Sequence, residues 1–158
     1  MNRRILLALL LAAPITAFAE TDPQRPQPVL AKQRLTIVTK DGQRHAFDVE
    51  VARTPEQQIT GLMYRTEVPA DGGMLFLWPA PDVSRMWMKH TLVQLDMVFI
   101  RADGTIDSIA ENTVPQSLRV VASHGKVVAT LELAGGTTQR LGITVGDKVE
   151  GAMFHPPG

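Results

Sequence analysis

The sequence predicts a mainly β domain, a compact antiparallel sandwich or barrel with one short helix near residues 54–64. Polar and apolar side chains alternate through much of the chain, which is typical of strands buried on one face. Glycine-containing turn sequences separate these short runs. Helical periodicity is clear in one segment, so the pattern favours an antiparallel sandwich or barrel.

Seven segments are predicted as strands, and glycine-containing turns lie between several of them. Asp41-Gly42 and Asp103-Gly104 are predicted hairpin turns, and His124-Gly125 is predicted as a third turn. The runs at 73–78 and 95–100 are almost continuously apolar, which indicates strands covered on both faces. The predicted strands are 34–39, 44–51, 73–78, 95–100, 105–110, 127–133 and 148–152.

The predicted helix begins at a capping box. Thr54 is the expected N-cap, Pro55 suits the first helical position, and Gln57 completes the box. A second, shorter helical turn is predicted after Gly136. The apolar side chains that follow the box at helical spacing are Ile59, Leu62 and Met63.

Residues 1–19 are predicted to be a secretory signal peptide. Arg3 and Arg4 give a basic start, 5–13 is apolar, and Ala17-Phe18-Ala19 matches a cleavage site before Glu20. The apolar stretch is too short to span a bilayer. We therefore expect an exported protein, periplasmic in a Gram-negative source, without stable membrane insertion after cleavage.

The remaining chain is expected to form a flexible proline-rich leader at 20–31, one β domain at 32–153 and a tail at 154–158. Its length suffices for one domain with its own core, and we expect a monomer. Cleavage removes two arginines and leaves 14 basic against 16 acidic side chains, a net charge of −2. This balance gives no basic surface for nucleic acid. The absence of cysteine excludes disulfides, thiolate catalysis and cysteine-based metal sites.

Several linked motifs follow one another through the domain. They are Gly61-Leu62-Met63-Tyr64-Arg65, Gly73-Met74-Leu75-Phe76, Trp87-Met88-Lys89, Leu95-Asp96-Met97-Val98-Phe99-Ile100, Asp103-Gly104, Leu131-Glu132-Leu133 and Gly146-Asp147. Their order and spacing resemble the domain-of-unknown-function family 192 of bacteria and archaea, over about residues 35–149. The resemblance implies a sandwich or jelly-roll-like fold and no particular activity. This chain departs from the family pattern at His90, where Asn is usual, and at Met86, where an aromatic residue is common.

The stretch 84–91 contains a candidate soft-metal site. In a strand, Met86, Met88 and His90 would share one face, with Trp87 and Lys89 on the other. Thioether and imidazole ligands suit Cu(I), which makes copper the one candidate cofactor. The alternative is that both methionines are ordinary core side chains. Two of the three candidate ligands also lie where the chain departs from the family pattern.

Asp96 is expected to be buried, since it alternates with apolar residues in the run at 95–100. A buried carboxylate needs partners, and Lys89 and Arg65 are candidates. In one interpretation, Asp96 has a structural role in an ion pair or as an acceptor for loop amides. In the other, these three residues, with Trp87 and His90, line a small polar pocket for a ligand or peptide.

These observations favour an exported binding or accessory module for a small molecule or an envelope protein. The main alternative is an envelope hydrolase that uses Asp96 as acid or base, and copper binding is the third possibility. The chain contains none of the Gly-x-Ser-x-Gly, phosphate-loop, His-Glu-x-x-His or dinucleotide-binding motifs. The enzyme hypothesis further requires a second carboxylate or a histidine beside Asp96 in an open cleft.

Overall fold

The computed structural model describes residues 22–154. The predicted signal peptide lies outside the described residues, as does the predicted tail beyond residue 154. The elements are β1 (Lys32–Val38), β2 (Arg44–Ala52), α1 (Pro55–Thr60), β3 (Met74–Met86), β4 (Leu95–Ile100), β5 (Ile106–Ala110), β6 (Val121–Ala134), α2 (Thr137–Leu141) and β7 (Lys148–Glu150).

The strands form one seven-stranded sheet in the order β5-β4-β6-β3-β2-β1-β7. Its two edges meet, because Thr105 bridges to Lys148 and the Val149 amide donates to the Gly104 carbonyl at 2.8 Å. The sheet is therefore an almost closed barrel, which confirms the predicted mainly β fold. One pair differs from the expected antiparallel pattern, since β2 and β3 are parallel and α1 lies in their connection.

Both faces of the sheet are covered. An inner cluster takes side chains from all seven strands, including Leu75 and Val98, and fills the barrel. An outer cluster contains the neighbouring residues Phe76 and Met97, together with Leu62 and other residues outside the strands. This arrangement confirms that the continuous apolar runs are strands buried on both sides.

Helix α1 begins as predicted and ends earlier. The Gln57 amide donates to Thr54 Oγ1 at 3.3 Å, and the Thr54 amide donates to Gln57 Oε1 at 3.1 Å. Gly61, with φ of 46°, ends the helix after Thr60. Leu62 is buried in the following turn. The short segment after Gly136 is also helical, as α2. Among residues 22–154, neither helix has the length and hydrophobicity that a bilayer span needs.

The predicted turn at His124-Gly125 is wrong, because both residues lie inside β6. Val83 pairs with Lys126 and Arg85 with Ala122, so β6 carries extra residues at this point. Their amides are satisfied by a side chain, since His124 and Gly125 donate to Asp107 Oδ2 at 3.0 and 2.9 Å. A carboxylate from β5 thus supports a bulge in β6 where the sequence suggests a turn.

Candidate functional site

A cavity of about 300 Å³ lies on the outer side of the sheet. One wall is α1 and the turn that follows it. The opposite wall is the end of β3 with the loop 87–91. The residues that matter for its chemistry are Phe76, Trp78, Arg85, Trp87, Lys89 and Glu132. Its volume is at the small end of the range for ligand pockets.

The aromatic wall is held in place by stacking and by hydrogen bonds. The rings of Phe76 and Trp78 stack with centroids 6.0 Å apart and an interplanar angle of 22°. The Trp78 indole donates to Thr130 Oγ1 at 3.2 Å, and Thr130 Oγ1 lies 3.0 Å from Ser84 Oγ. Since the polar end of Trp78 is satisfied, its ring face is an ordered apolar surface.

Glu132 is the only acidic side chain among the described residues that line the cavity. It lies on β6 directly between Met74 of β3 and Met97 of β4, and it is 4% exposed. Within residues 22–154, its carboxyl group makes no hydrogen bond or salt bridge, and its oxygens are not among the fully enclosed polar atoms without a partner, so they are open to the cavity. Burial raises the pKa of Glu132 to about 8. The group is therefore mostly protonated at neutral pH and can both donate and accept a hydrogen bond.

Sequence reasoning missed Glu132 as a site residue. The available signal is one acid within the otherwise apolar run 127–134. In an antiparallel strand, an isolated acid usually faces solvent. Here the outer face is covered by α1 and by loops, and this covering is a tertiary feature that strand periodicity does not report.

The loop 87–91 presents its side chains at the edge of the cavity. The Thr91 amide donates to the Met88 carbonyl at 3.0 Å, which closes a tight turn. His90 has φ of 53°, and its ring stacks on Tyr64 at 5.0 Å. Lys89 Nζ lies 5.3 Å from the centre of the Trp87 ring. The structure therefore places Trp87 and Lys89 on the cavity, with His90 beside Lys89.

Asp22 and Pro23, at the start of the described part of the predicted leader, lie against this edge. Asp22 Oδ1 accepts from Lys89 Nζ at 2.9 Å, and Oδ2 lies 3.0 Å from His90 Nε2. Hydrogen bonds from His90 and from Lys89 lower the pKa of Asp22. The Tyr64 hydroxyl donates to the Pro23 carbonyl at 2.9 Å.

Arg65 lies apart from the main cavity. Its guanidinium donates to Glu50 Oε2 at 3.1 Å, and the same oxygen accepts from the Leu30 amide at 2.7 Å. This pair borders a separate cavity of about 160 Å³. Arg65 Nε is buried without a partner within the described chain. Arg65 therefore does not contact Asp96, contrary to one of the expected pairings.

Asp96 is fully buried and binds loop groups. It accepts from the amides of Asn112, Gly136 and Thr138 at 2.9, 3.0 and 2.8 Å, and from Thr138 Oγ1 at 2.8 Å. The expected pairing with Lys89 or Arg65 is replaced by these contacts. Asp96 does not line the main cavity. Of the two interpretations of Asp96, this geometry favours the one in which it holds loop amides.

The three candidate copper ligands do not lie on one strand. Strand β3 ends at Met86, so the alternation that grouped Met86, Met88 and His90 does not extend to the last two. Met88 is 1% exposed, and Thr113 Oγ1 lies 3.1 Å from its sulfur. Residues 22–154 also contain no group of three or more His, Cys, Asp or Glu side chains placed to hold a metal ion. The Cu(I) hypothesis, which rests on methionine, stays a prediction.

The fold and the cavity together define a small, barrel-like β domain with an aromatic-walled pocket on its outer face. The chain belongs to the family DUF192, described as "Uncharacterized ACR", whose model matches residues 36–151. This match confirms the resemblance found in the sequence motifs.

Two solved structures are similar to this chain. One, from Sinorhizobium meliloti 1021, is provisionally described as a transcription regulator; it is 44% identical with a TM-score of 0.77, and the match covers 80% of this chain and 98% of that one. The other, a protein of unknown function from Novosphingobium aromaticivorans DSM 12444, is 38% identical with a TM-score of 0.75, and the match covers 87% and 99%. A comparison with curated proteins finds no match.

Proposed function

We propose that this protein is a binding module for a small organic molecule, which occupies the 300 Å³ cavity and hydrogen-bonds to Glu132. The observation that carries the proposal is Glu132, a residue only 4% exposed in an aromatic-walled cavity, whose carboxyl group makes no hydrogen bond within residues 22–154. Such a group costs folding free energy, and buried polar groups in proteins are normally hydrogen-bonded. A ligand would supply the missing partner.

The cavity chemistry limits the class of ligand. Phe76, Trp78 and Trp87 favour an apolar or aromatic body. A protonated Glu132 favours a neutral polar group, such as an amide or a carbonyl, over a cation. The expected ligand is therefore a small molecule with an apolar body and an amide or carbonyl group.

The test replaces Glu132 in the purified protein with leucine. We expect Glu132→Leu to raise stability by about 1–3 kcal/mol, because it removes an unpartnered buried polar group. We also expect it to weaken binding of N-acetylphenylalaninamide, used as a probe, by about tenfold, since one hydrogen bond is lost. Thermal unfolding and calorimetric titration measure the two effects.

Glu67→Leu, which makes the same change at an exposed position, is the matched control and should alter neither quantity much. The proposal is contradicted if Glu132→Leu strongly destabilises the protein and leaves probe binding unchanged. In that case Glu132 serves the fold. A probe that binds without shifting the NMR signals of Trp78 would likewise place the site elsewhere.

We further propose that the protein acts outside the cytoplasm as a monomer. Export rests on the sequence pattern at 1–19, and its test is the N-terminal sequence of the protein recovered from a cell fraction. Light scattering of the purified protein tests the monomer. The regulatory role in the description of the S. meliloti relative is not extended to this chain, because the balanced charge gives no reason to expect nucleic-acid binding.

The position of Asp96 does not suit the hydrolase alternative. Asp96 is 0% exposed, and its partners among the described residues are amides and one hydroxyl. A general acid or base needs access to the substrate, and this carboxylate has none.

A further inference from the structure

We propose that Lys89 and His90 form a carboxylate-binding site at the edge of the cavity, and that Asp22 occupies this site until a ligand carboxylate displaces it. The inference rests on the proposed function and adds to it the class of ligand. The ligand would be an organic acid, with its apolar body in the cavity and its carboxylate at the edge.

Asp22 shows how the edge of the cavity binds a carboxylate. Its two oxygens are divided between two donors, with Lys89 Nζ 2.9 Å from Oδ1 and His90 Nε2 3.0 Å from Oδ2. A ligand carboxylate has the same shape and charge as this side chain, so it can make the same two contacts. The way in which Asp22 is bound therefore identifies a carboxylate as the group that Lys89 and His90 can bind.

The His90 ring is held in place by its contacts with Tyr64. His90 stacks on Tyr64 with an interplanar angle of 16°, and the Tyr64 amide donates to the His90 carbonyl at 2.8 Å. Both residues have positive φ, of 61° for Tyr64 and 53° for His90. Backbone in this region is uncommon for such residues and is kept where the surroundings require it. The His90 ring is thus preorganised to meet an anion.

Lys89 belongs both to the cavity and to the carboxylate-binding site at its edge. It lines the cavity, and its ammonium group also holds Asp22. Its side chain is 27% exposed and lies over the Trp87 ring, which also lines the cavity. A ligand in the cavity can therefore reach the donor that Asp22 now uses.

The contact of Asp22 with Lys89 and His90 is weak enough for a ligand to displace it. Asp22 is 40% exposed, and ion pairs at such positions contribute little to stability. The neighbouring hydrogen bond from Tyr64 to Pro23 keeps Asp22 close to the site. Asp22 is therefore an internal competitor that a ligand can displace, and it lowers the apparent affinity of the site.

The test compares N-acetylphenylalanine, which has a carboxylate, with N-acetylphenylalaninamide, in which an amide replaces it. We expect Asp22→Asn to tighten binding of the acid about three- to tenfold and to leave the amide unchanged. We expect Lys89→Gln to remove the preference for the acid. Asp71→Asn, the same charge change at another exposed position, is the matched control.

NMR of the His90 ring provides a second measurement. In Asp22→Asn, the acid should shift the His90 ring signals and the amide should not. The inference is overturned if Asp22→Asn tightens binding of both probes equally, if it tightens binding of neither, or if the acid does not bind. If binding of the amide depends on Glu132 but Asp22→Asn does not tighten binding of the acid, the proposed function is retained and only the carboxylate site is rejected.

Discussion

Glu132 and Asp96 are two buried carboxyl groups with very different hydrogen-bonding environments. Asp96 has four donors, three of them backbone amides that belong to loops and to the start of α2. Glu132 has no donor within the described chain and faces an aromatic cavity. Burial without donors raises the pKa of Glu132 to about 8 and keeps this group neutral. The first arrangement supports the fold, and the second leaves a group free for a ligand.

Replacing Asp96 tests its structural role. In Asp96→Asn, one oxygen becomes a donor and faces amides that it cannot pair with, so we expect a loss of about 2–4 kcal/mol in the free energy of unfolding. Urea unfolding measures this loss, with Asp71→Asn as the exposed control. Binding of the amide probe should be unchanged, because Asp96 does not line the cavity. A stable variant that no longer binds the probe would refute the structural interpretation.

The end of α1 shapes the cavity at the level of secondary structure. Gly61 lines the cavity and has φ of 46° and ψ of −130°, which lies outside the left-handed region open to other residues. A Cβ at this position would lie 3.0 Å from the Phe76 ring. The glycine therefore allows both the sharp end of the helix and its close approach to the aromatic wall.

The effect of Gly61→Ala on the free energy of unfolding can be compared with that of Gly142→Ala, at the end of α2. Gly142 has φ of 67° and ψ of 23°, and a Cβ there meets nothing within 4 Å. We expect a loss of roughly 1 kcal/mol for Gly142→Ala and about 2–3 kcal/mol for Gly61→Ala, since the second also strains the backbone and displaces Phe76. Equal losses in urea unfolding would show that the Phe76 contact and the unusual ψ have no energetic consequence.

Local signals in the sequence predicted the elements, and non-local contacts decided the site. The capping box at Thr54 predicted the start of α1 because its partners are close in sequence. The end at Gly61 also involves a residue that is distant in sequence, since a Cβ at this position would lie 3.0 Å from the Phe76 ring. The turn expected at His124-Gly125 is a bulge because Asp107 comes from another strand. Lys89 and Trp87 were predicted as pocket residues, whereas Glu132 and Asp22 reach the cavity or its edge only through the tertiary fold.

At the scale of the whole molecule, the buried acids give stability opposite dependences on pH. Burial alone would raise the pKa of Asp107, but hydrogen bonds from Gly125, Arg101 and Ser108 hold it below its ordinary value. The stability that Asp107 contributes is therefore lost as the pH falls. The pKa of Glu132 is raised from 4.5 to about 8, so the folded state binds a proton that the unfolded state releases in this range. Its contribution is present at low pH and is lost as the pH rises.

The pH dependence of stability therefore distinguishes the contribution of Glu132 from that of Asp107. Between pH 4.5 and about 8, the unfolded chain binds fewer protons than the folded one at this residue, so stability should decrease as the pH rises. The slope of the unfolding free energy against pH approaches about 1.4 kcal/mol per pH unit, and the total change in this free energy is on the order of a few kcal/mol. Glu132→Gln, which cannot titrate, should lack this slope, while histidine contributions remain the same in both proteins. Urea unfolding across this range measures the difference between the two proteins. Parallel curves would mean that folding does not raise the pKa of Glu132, and a neutral acid could then no longer be the group that meets the ligand.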